Sequence, residues 1–355
     1  MEEERLRILK MIEKGTISAE EGSKLLDALT APEKQSNTVS KQVDWDSSSK
    51  QSEKQKPDKK KKNFMNYVEQ AILKIKNADL DFNFGDYVEV SHIYQNVGDA
   101  YNSMDISVTN GSLTLKSWKE SATRVECEAK VYQAEDHAAA KQQLLDKVNF
   151  LVADEKLSLV LDEKKIKADF TLYVPEQIYE KVHAKLFNGS ISFEHMELNE
   201  LELKTSNGSI HLNRIKAGMG DIETSNGTLH VKGSAFDELE ADTINGSVKL
   251  SGDFGKLDAS TVTGSVTCEY FGEKAHTGFF QTTTGSIKVH LPHDVKVDGK
   301  LQTNMGSLKC NLDHAKIYKE KKEVVRKELL FVINEQKEKE YHLEAETKTG
   351  SVTVE

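Results

Sequence analysis

The chain has 355 residues, a formal net charge of -10 at pH 7, 30% charged residues and four prolines. This length leaves room for more than one domain, and the acidic balance argues against general nucleic-acid binding. The sequence contains no apolar run of about 18 residues that would span a membrane, and no apolar segment of a secretion signal follows Met1. We therefore expect a cytoplasmic protein, with a peripheral position at the membrane or cell surface as the alternative.

Residues 1–30 have the pattern of a helical hairpin. Gly15 ends a first helix with one apolar side, and Ser18 with Glu21 forms a capping-box signature for a second helix. Helices this short are marginal in isolation, so their apolar side chains need a partner, a second copy or another part of the chain. We expect an oligomerisation or regulatory module here, and a simple N-terminal decoration is the alternative.

Residues 31–62 are polar and end in a run of lysines, which is the composition of a disordered linker. An amphipathic helix is predicted over 63–77. A polybasic run followed by such a helix can lie on an anionic membrane. The candidate membrane contacts are Lys59, Lys60, Lys61, Lys62, Phe64, Val68, Ile72 and Ile75. The alternative is that the 63–77 helix caps the open end of the domain that follows.

A short phrase centred on glycine, most often Asn-Gly-Ser or Thr-Gly-Ser, occurs nine times. From Gly189 to Gly306 the glycines are 19, 19, 19, 18, 21 and 21 residues apart, and a period of this size indicates a solenoid. The repeat-corner glycines are Gly111, Gly189, Gly208, Gly227, Gly246, Gly264, Gly285, Gly306 and Gly350.

Apolar and polar residues alternate on both sides of each glycine, which predicts strand, tight corner, strand. A repeat of about 20 residues is too short for a βαβ unit, which needs roughly 30. We therefore predict a mainly β fold, a single-stranded parallel β-helix over 63–355 with coils of 19–21 residues. Ile210, Leu229 and Val248 should lie directly over one another in its core. The Thr and Asn positions beside the corners should form hydrogen-bonded ladders.

Two stretches interrupt the repeat. Residues 116–185 are predicted to be an excursion that covers the N-terminal part of the solenoid, with three strands and a helix over about 134–151. A charged insert occupies 313–340. Within and after it, 328–334 and 340–347 are predicted to pair as a hairpin. The last coil is expected to be uncovered unless the insert covers it, and an uncovered strand edge attracts partners.

Because the coils stack, outward-facing residues at the same repeat position should form a column on the surface. The residues six and four positions before the corner predict an acidic stripe of Glu202, Asp221, Glu223, Glu240, Asp242 and Asp258. Glu344 and Glu346 have the same offsets, and Lys204 lies among them. The alternative is an ordinary solvated face of mixed charge. After the corner, a polar to basic stripe is predicted from His211, His230, Lys249, Lys288 and Lys309.

No metal or cofactor is expected, since stacked His211 and His230 supply two ligands where a zinc site needs three or four. The three cysteines, Cys127, Cys268 and Cys310, fall at inward strand positions and are expected to be buried hydrophobic residues. The serines of the Gly-Ser corners lack a nucleophile elbow or a paired base. The sequence therefore predicts no catalytic site.

The helical head, ILKMIEKGTISAEEGSKLLDAL at 8–29, and the phrases TSNGSI, TSNGTL and TINGSV carry a family resemblance. They are similar to the head module and the adhesin-like β-helix domain of YvlB-like and LiaX-like proteins of Gram-positive bacteria. The resemblance covers nearly the whole chain outside the linker. It implies a role in cell-envelope stress and antimicrobial-peptide responses, and it brings no catalytic residues.

Three functions follow as hypotheses. The first is a non-enzymatic sensor or regulator of envelope stress, with a protein signalling partner, a cationic peptide as possible ligand of the acidic stripe, and a homo-oligomer through 1–30. The second is a surface adhesin or scaffold, against which the missing secretion signal counts. The third is a polysaccharide-active enzyme, which evenly repeated carboxylates disfavour because they lack the distinct environments that separate an acid from a base.

Overall fold

A computed structural model describes residues 85–292, 295–323 and 326–355. The predicted hairpin (1–30), linker (31–62) and amphipathic helix (63–77) lie outside these ranges. The described residues form one helix, α1 (His137–Lys147), and 21 strands. The strands, numbered in chain order, are β1 (Tyr87–Asn96), β2 (Ser103–Asn110), β3 (Leu113–Trp118), β4 (Thr123–Tyr132), β5 (Val148–Ala153), β6 (Lys156–Leu161), β7 (Ile166–Pro175), β8 (Ile178–Asn188), β9 (Ile191–Asn207), β10 (Ile210–Asn226), β11 (Leu229–Asn245), β12 (Val248–Thr263), β13 (Val266–Tyr270), β14 (Thr277–Thr284), β15 (Ile287–His290), β16 (Lys296–Met305), β17 (Leu308–Cys310), β18 (Lys316–Lys322), β19 (Lys327–Ile333), β20 (Glu340–Thr349) and β21 (Val352–Val354).

The central coils stack in parallel and in register, which confirms the predicted β-helix. Ile210 pairs with Leu229, and Leu229 pairs with Val248. All three side chains are 0% exposed. Full burial of an aliphatic side chain of this size stabilises the fold by about 1.5–3 kcal/mol. Each coil contributes several such residues, so the coils form one continuous hydrophobic core.

The corners of successive coils approach so closely that only glycine fits. A Cβ built on Gly227 would lie 2.0 Å from the carbonyl oxygen of Gly208, and one built on Gly246 would lie 1.9 Å from that of Gly227. From Thr205 onward, the threonine three residues before the corner donates its hydroxyl to a glycine carbonyl of the neighbouring coil. Thr224 Oγ1 lies 2.8 Å from the oxygen of Gly208, for example. The phrase therefore encodes both the turn and the stacking distance.

The predicted asparagine ladder is confirmed in the N-terminal half of the stack. The side-chain amide of Asn207 donates to Asn188 at 2.8 Å, and that of Asn226 donates to Asn207 at 2.9 Å. The ladder begins at Asn110, whose amide donates to the carbonyl of Lys164, and its last member is Asn245. Thr263 takes the same position on the next coil, and the amide ladder ends there.

At the N-terminal end, the order of the coils in space differs from their order in the chain. The coil formed by β2 and β3 pairs with β6 and β7 on one side and with β8 and β9 on the other. The predicted strands of the 116–185 stretch are therefore present, but β6 and β7 form the first coil of the solenoid. Strand β5 covers β6, and β4 covers β7 with β1 beyond it.

The predicted helix of the same stretch is shorter than expected. It begins after Asp136, whose side chain accepts a hydrogen bond from the backbone N–H of Ala139 at 2.8 Å. It ends at Lys147, and Ala140 and Leu144 are its buried residues. Val148 already belongs to strand β5, so tertiary pairing with β6 replaces the last predicted helical turn.

At the C-terminal end, the prediction that the last coil is uncovered and the prediction of a hairpin between 328–334 and 340–347 are both wrong. Strand β20 pairs in parallel with β14 and β16, and β21 pairs with β15 and β17, so the last coil of the chain is enclosed between two earlier ones. The predicted hairpin between 328–334 and 340–347 is absent from the described residues. Strand β19 pairs antiparallel with β16 and β18 instead. The charged insert thus supplies the cover for β16.

The last coil enters the stack because it carries the same corner chemistry as its neighbours. Thr347 donates to the carbonyl of Gly285 at 3.0 Å, and Thr303 donates to the carbonyl of Gly350 at 3.0 Å. A hairpin with β19 would forgo these hydrogen bonds. It would also expose Leu343 and Val352, which are fully buried in the coil.

Candidate functional site

Outward-facing carboxylates of strands β9–β12 lie in register on one sheet face. Glu202 pairs with Asp221, Asp221 with Glu240, and Glu240 with Asp258. Neighbouring strands lie about 4.8 Å apart, which sets the spacing along this column. A second column, two residues further along each strand, contains Lys204, Glu223, Asp242 and Ser260. We call the six carboxylates of the two columns the acidic stripe.

Lys204 joins three carboxylates at one end of the acidic stripe. Its Nζ lies 3.1 Å from Glu202, 3.3 Å from Asp221 and 3.8 Å from Glu223. Partial burial lowers the pKa of Lys204, but the charges of Asp221 and Glu223 outweigh it and raise the pKa above its usual value. Burial alone would raise the pKa of Glu202, but the contact with Lys204 lowers it. The net pKa of Glu202 therefore lies below its usual value. At this end of the stripe, the positive charge of Lys204 offsets part of the negative charge of the carboxylates around it.

The other end of the stripe is centred on a buried acid. Asp242 is 8% exposed, and the hydroxyl of Ser260 donates to its carboxyl group. Burial raises the pKa of Asp242 well above its usual value, and the nearby charges of Glu240, Asp258 and Glu223 raise it further. Burial and the surrounding carboxylates therefore both favour the protonated form of Asp242.

The stripe does not continue into the C-terminal coils. Phe279 lies between Asp258 and Glu344 in the first column, and Gln281 lies between Ser260 and Glu346 in the second. The Phe279 ring makes an edge contact with His342 at a centroid distance of 6.0 Å. The acidic stripe is therefore confined to four consecutive coils.

The predicted basic stripe after the corner is present but interrupted. His211, His230 and Lys249 pair in register, and the two imidazole centroids are 6.1 Å apart. Burial lowers the pKa of His230, and the charges of His211, Lys249 and Lys232 lower it further. Thr267 separates Lys249 from Lys288. Lys288 makes an ion pair with Glu355.

An open pocket of about 460 Å³ lies beside the first corners of the solenoid. Its walls include Tyr132, Lys164, Lys167, Asp169 and the corner at Asn188. This pocket was not predicted from the sequence. The available signal was the interval of 78 residues between Gly111 and Gly189, in which a coil without the repeated phrase lies.

The remaining candidate residues have structural roles or lie outside the described ranges. The repeat-corner glycines line the stacked corners. Cys127 and Cys268 are buried as predicted, while Cys310 is only partly buried. Burial raises the pKa of the Cys127 thiol to about 12. The candidate membrane contacts between Lys59 and Ile75 are outside the described residues.

Within 85–292, 295–323 and 326–355, no group of three or more His, Cys, Asp or Glu side chains is arranged to hold a metal ion. In the same part of the chain, no helix has the length and apolar character needed to cross a membrane.

Comparison with known proteins identifies the family. The Toastrack DUF4097 family matches residues 101–355, and a SHOCT-like domain matches residues 3–34. The chain therefore belongs to the Toastrack family. It is 32% identical over 361 residues to the uncharacterized protein YvlB of Bacillus subtilis (strain 168), covering 100% of this chain and 99% of that protein. The predicted YvlB-like resemblance is confirmed.

Crystal structures of candidate adhesins are also similar. One from Parabacteroides distasonis ATCC 8503 is 15% identical with a TM-score of 0.40, covering 76% of this chain and 98% of that chain. One from Bacteroides fragilis NCTC 9343 is 12% identical with a TM-score of 0.38, and the match covers 75% of this chain and 96% of that chain.

Proposed function

We propose that the protein is a non-enzymatic binding module of the bacterial envelope-stress response, and that the acidic stripe is its docking surface for cationic peptides. The solenoid would act as a rigid platform, because its coils are joined by backbone hydrogen bonds, by threonine hydrogen bonds from Thr205 onward and by an asparagine ladder that ends at Asn245. The helical head at 1–30 and the basic segment at 59–75 would contact a signalling partner, a second copy or the inner face of the membrane.

The observation that carries the proposal is the register of Glu202, Asp221, Glu240 and Asp258, which places four carboxylates in one column on consecutive coils. Like charges held a strand spacing apart repel one another, and a cationic ligand relieves that repulsion when it binds. Lys204 already performs this role at the other end of the stripe. A lysine or arginine of a bound peptide would repeat the arrangement over the Asp242 end.

The stripe fits a binding role better than a catalytic one. Asp242 does have the raised pKa of a general acid, so the carboxylates are less uniform than their even repetition in the sequence predicts. However, its carboxyl group is buried and already bonded to Ser260. A catalytic acid must reach the substrate. Turnover of a polysaccharide panel, lost in Asp221→Asn or Glu240→Gln, would contradict this assignment.

The proposal is tested by titrating the full chain with a short cationic peptide and with a neutral peptide of the same length. The double variant Glu240→Gln/Asp258→Asn should weaken binding of the cationic peptide by about tenfold, since exposed ion pairs contribute about 0.2–1 kcal/mol each. Glu338→Gln is the matched control, because Glu338 is exposed and lies outside the stripe.

Raised salt should weaken the interaction, because exposed charges are screened over about 8–10 Å. Equal affinity for both peptides, or an unchanged affinity in the double variant, would refute the docking surface. The physiological part is tested separately. Cells lacking the protein should become more sensitive to envelope-active cationic peptides, and an unchanged sensitivity would remove that part alone.

A further inference from the structure

The first coil of the solenoid has a corner unlike all the others. Leu161 pairs with Val108, and Phe170 pairs with Leu113. In the coil of β2 and β3, two residues (109–110) separate Val108 from the corner glycine. In the first coil, six residues (162–167) separate Leu161 from Ala168, which takes the place of that glycine. The corner thus contains four additional residues, six minus two, and it projects beside the ladder of Asn-Gly-Ser corners.

Hydrogen bonds hold this larger corner in place. The side-chain amide of Asn110 donates to the carbonyl of Lys164 at 2.9 Å. The carboxylate of Asp169 accepts the backbone N–H of Ser112 at 2.7 Å and its hydroxyl at 2.6 Å. Lys167 pairs with Lys130 in the register between β7 and β4. These hydrogen bonds fix the Lys164 carbonyl and the Asp169 carboxylate beside the pocket.

Most residues that line the pocket carry polar or charged groups. The ten lining residues are Asn, Gly, Ser, Lys, Asp and one Tyr, and none of them is aliphatic. The volume of about 460 Å³ falls within the range of small-molecule sites, which is about 300–1,000 Å³. The hydroxyl of Ser190 and the ring of Tyr132 suit a polyhydroxylated molecule.

The charge of the lining selects an anion. Lys164 and Lys167 contribute two positive charges and Asp169 contributes one negative charge, so the lining carries a net charge of about +1. This sign is opposite to the net charge of -10 of the whole chain. Lys130, which is near Lys167 in register, is engaged with the hydroxyl of Tyr87 at 3.2 Å and with Glu89 at 3.7 Å.

We propose that this pocket binds a small acidic saccharide, a sugar bearing one carboxylate or phosphate group. The ammonium groups of Lys164 and Lys167 bind the anionic group. Ser190 and the free edge of the Asp169 carboxylate bind sugar hydroxyls, and the ring of Tyr132 packs against the sugar face. The site is distinct from the acidic stripe, so it does not depend on the peptide-docking proposal.

The full chain is titrated with glucuronate, glucose 6-phosphate, glucose and inorganic phosphate. Binding is measured by calorimetry and by NMR. Glucuronate and glucose 6-phosphate should bind with a Kd on the order of 1 mM or tighter, and glucose should bind at least tenfold more weakly. Lys164→Gln/Lys167→Gln should weaken binding of both acidic sugars by about tenfold or more. Lys309→Gln, an exposed lysine outside the pocket, should leave it unchanged.

Each result distinguishes the alternatives. Preference for only one of the two acidic sugars identifies whether carboxylate or phosphate is the preferred anion. Equal binding of inorganic phosphate and glucose 6-phosphate would overturn the saccharide part, because the sugar would then add nothing. Equal affinity of the lysine double variant and the native chain, at an unchanged melting temperature, would overturn the site itself. So would an absence of binding by either acidic sugar up to about 10 mM.

Discussion

Replacing Gly227 with alanine tests whether the corners stack as closely as described. The new Cβ would lie 2.0 Å from the carbonyl oxygen of Gly208, 2.5 Å from its carbonyl carbon and 3.0 Å from the backbone nitrogen of Ser209. All three atoms belong to the backbone, so no side-chain rotation relieves the contact. The two coils must separate at this corner, which lengthens the 2.9 Å hydrogen bond from Gly208 N–H to the carbonyl of Asn226.

The expected cost follows from these contacts. Overpacking of a close-packed site costs about 1–3 kcal/mol, and weakening one or two backbone or threonine hydrogen bonds adds about 1 kcal/mol each. We therefore expect Gly227→Ala to lower the free energy of unfolding by about 3–4 kcal/mol. Equilibrium urea denaturation followed by circular dichroism measures this difference.

Gly233→Ala is the matched control. The nearest heavy atom to a Cβ at Gly233 is Arg214 Cγ at 3.9 Å, so the site has room. Its φ of 58° is shared by Arg214 and His195 at 56° on the preceding coils, which shows that side chains are accepted there. We expect a loss of about 1–2 kcal/mol from the left-handed conformation alone. Equal losses in the two variants, or a loss below about 1 kcal/mol for Gly227→Ala, would refute the close stacking.

Three further predictions concern the stripe, the threonine ladder and the last coil. Since the folded-state pKa of Asp242 is raised, its contribution to stability is fully present below the unfolded pKa and is lost as pH rises through the folded pKa. Asp242→Asn should therefore have a higher melting temperature than the native chain near pH 8. The difference in melting temperature should shrink or reverse near pH 4. A difference that stays constant with pH would contradict a raised pKa for Asp242. Thr224→Val should lower the free energy of unfolding by about 1 kcal/mol, measured in urea, because the Gly208 carbonyl loses its hydroxyl donor. An unchanged stability would show that this hydrogen bond adds nothing. Deleting 340–355 should leave β14 and β16 without their shared partner and lower the melting temperature by more than deleting 316–323, which removes only the outermost strand of the cover; the opposite ranking would place the last coil outside the stack.

The repeated coils were predictable from the sequence because one residue type satisfies each physical requirement. Only glycine fits a corner whose Cβ would meet the next backbone, and alternating apolar residues fill the core. Ile210, Leu229 and Val248 therefore identified the register without ambiguity. Thr224 and Asn226 identified the two ladders, because each supplies the hydrogen-bonding group that the neighbouring corner needs.

The order of the coils at the two ends was not predictable by the same reasoning. The corners at Gly285, Gly306 and Gly350 have equivalent chemistry, so nothing in the phrase records which corner lies next to which. The position of the last coil depends on the long connection through β18 and β19, which returns the chain to the gap between two formed coils. The sequence alternation contains no information about that path.

The candidate sites were predictable only in part. The columns of Glu202, Asp221, Glu240 and Asp258 follow directly from the repeat. The burial of Asp242 depends on side chains from neighbouring coils, which a one-dimensional pattern does not record. The pocket depends on the six residues at 162–167, a corner that departs from the repeated phrase and therefore gives no signal in a search for repeats.

The columns of side chains exist only if the coils stack in the order described, and cysteine cross-linking tests that order directly. Lys288 pairs with Thr353, and Thr353 pairs with Lys309, so Lys288 and Lys309 are two coils apart, about 9.6 Å. A disulfide requires Cα atoms about 4.4–6.8 Å apart. With Cys310 replaced by alanine, the pair Lys288→Cys/Thr353→Cys should form a disulfide on mild oxidation, and the pair Lys288→Cys/Lys309→Cys should not. Cross-linking of the second pair and not of the first would contradict the account.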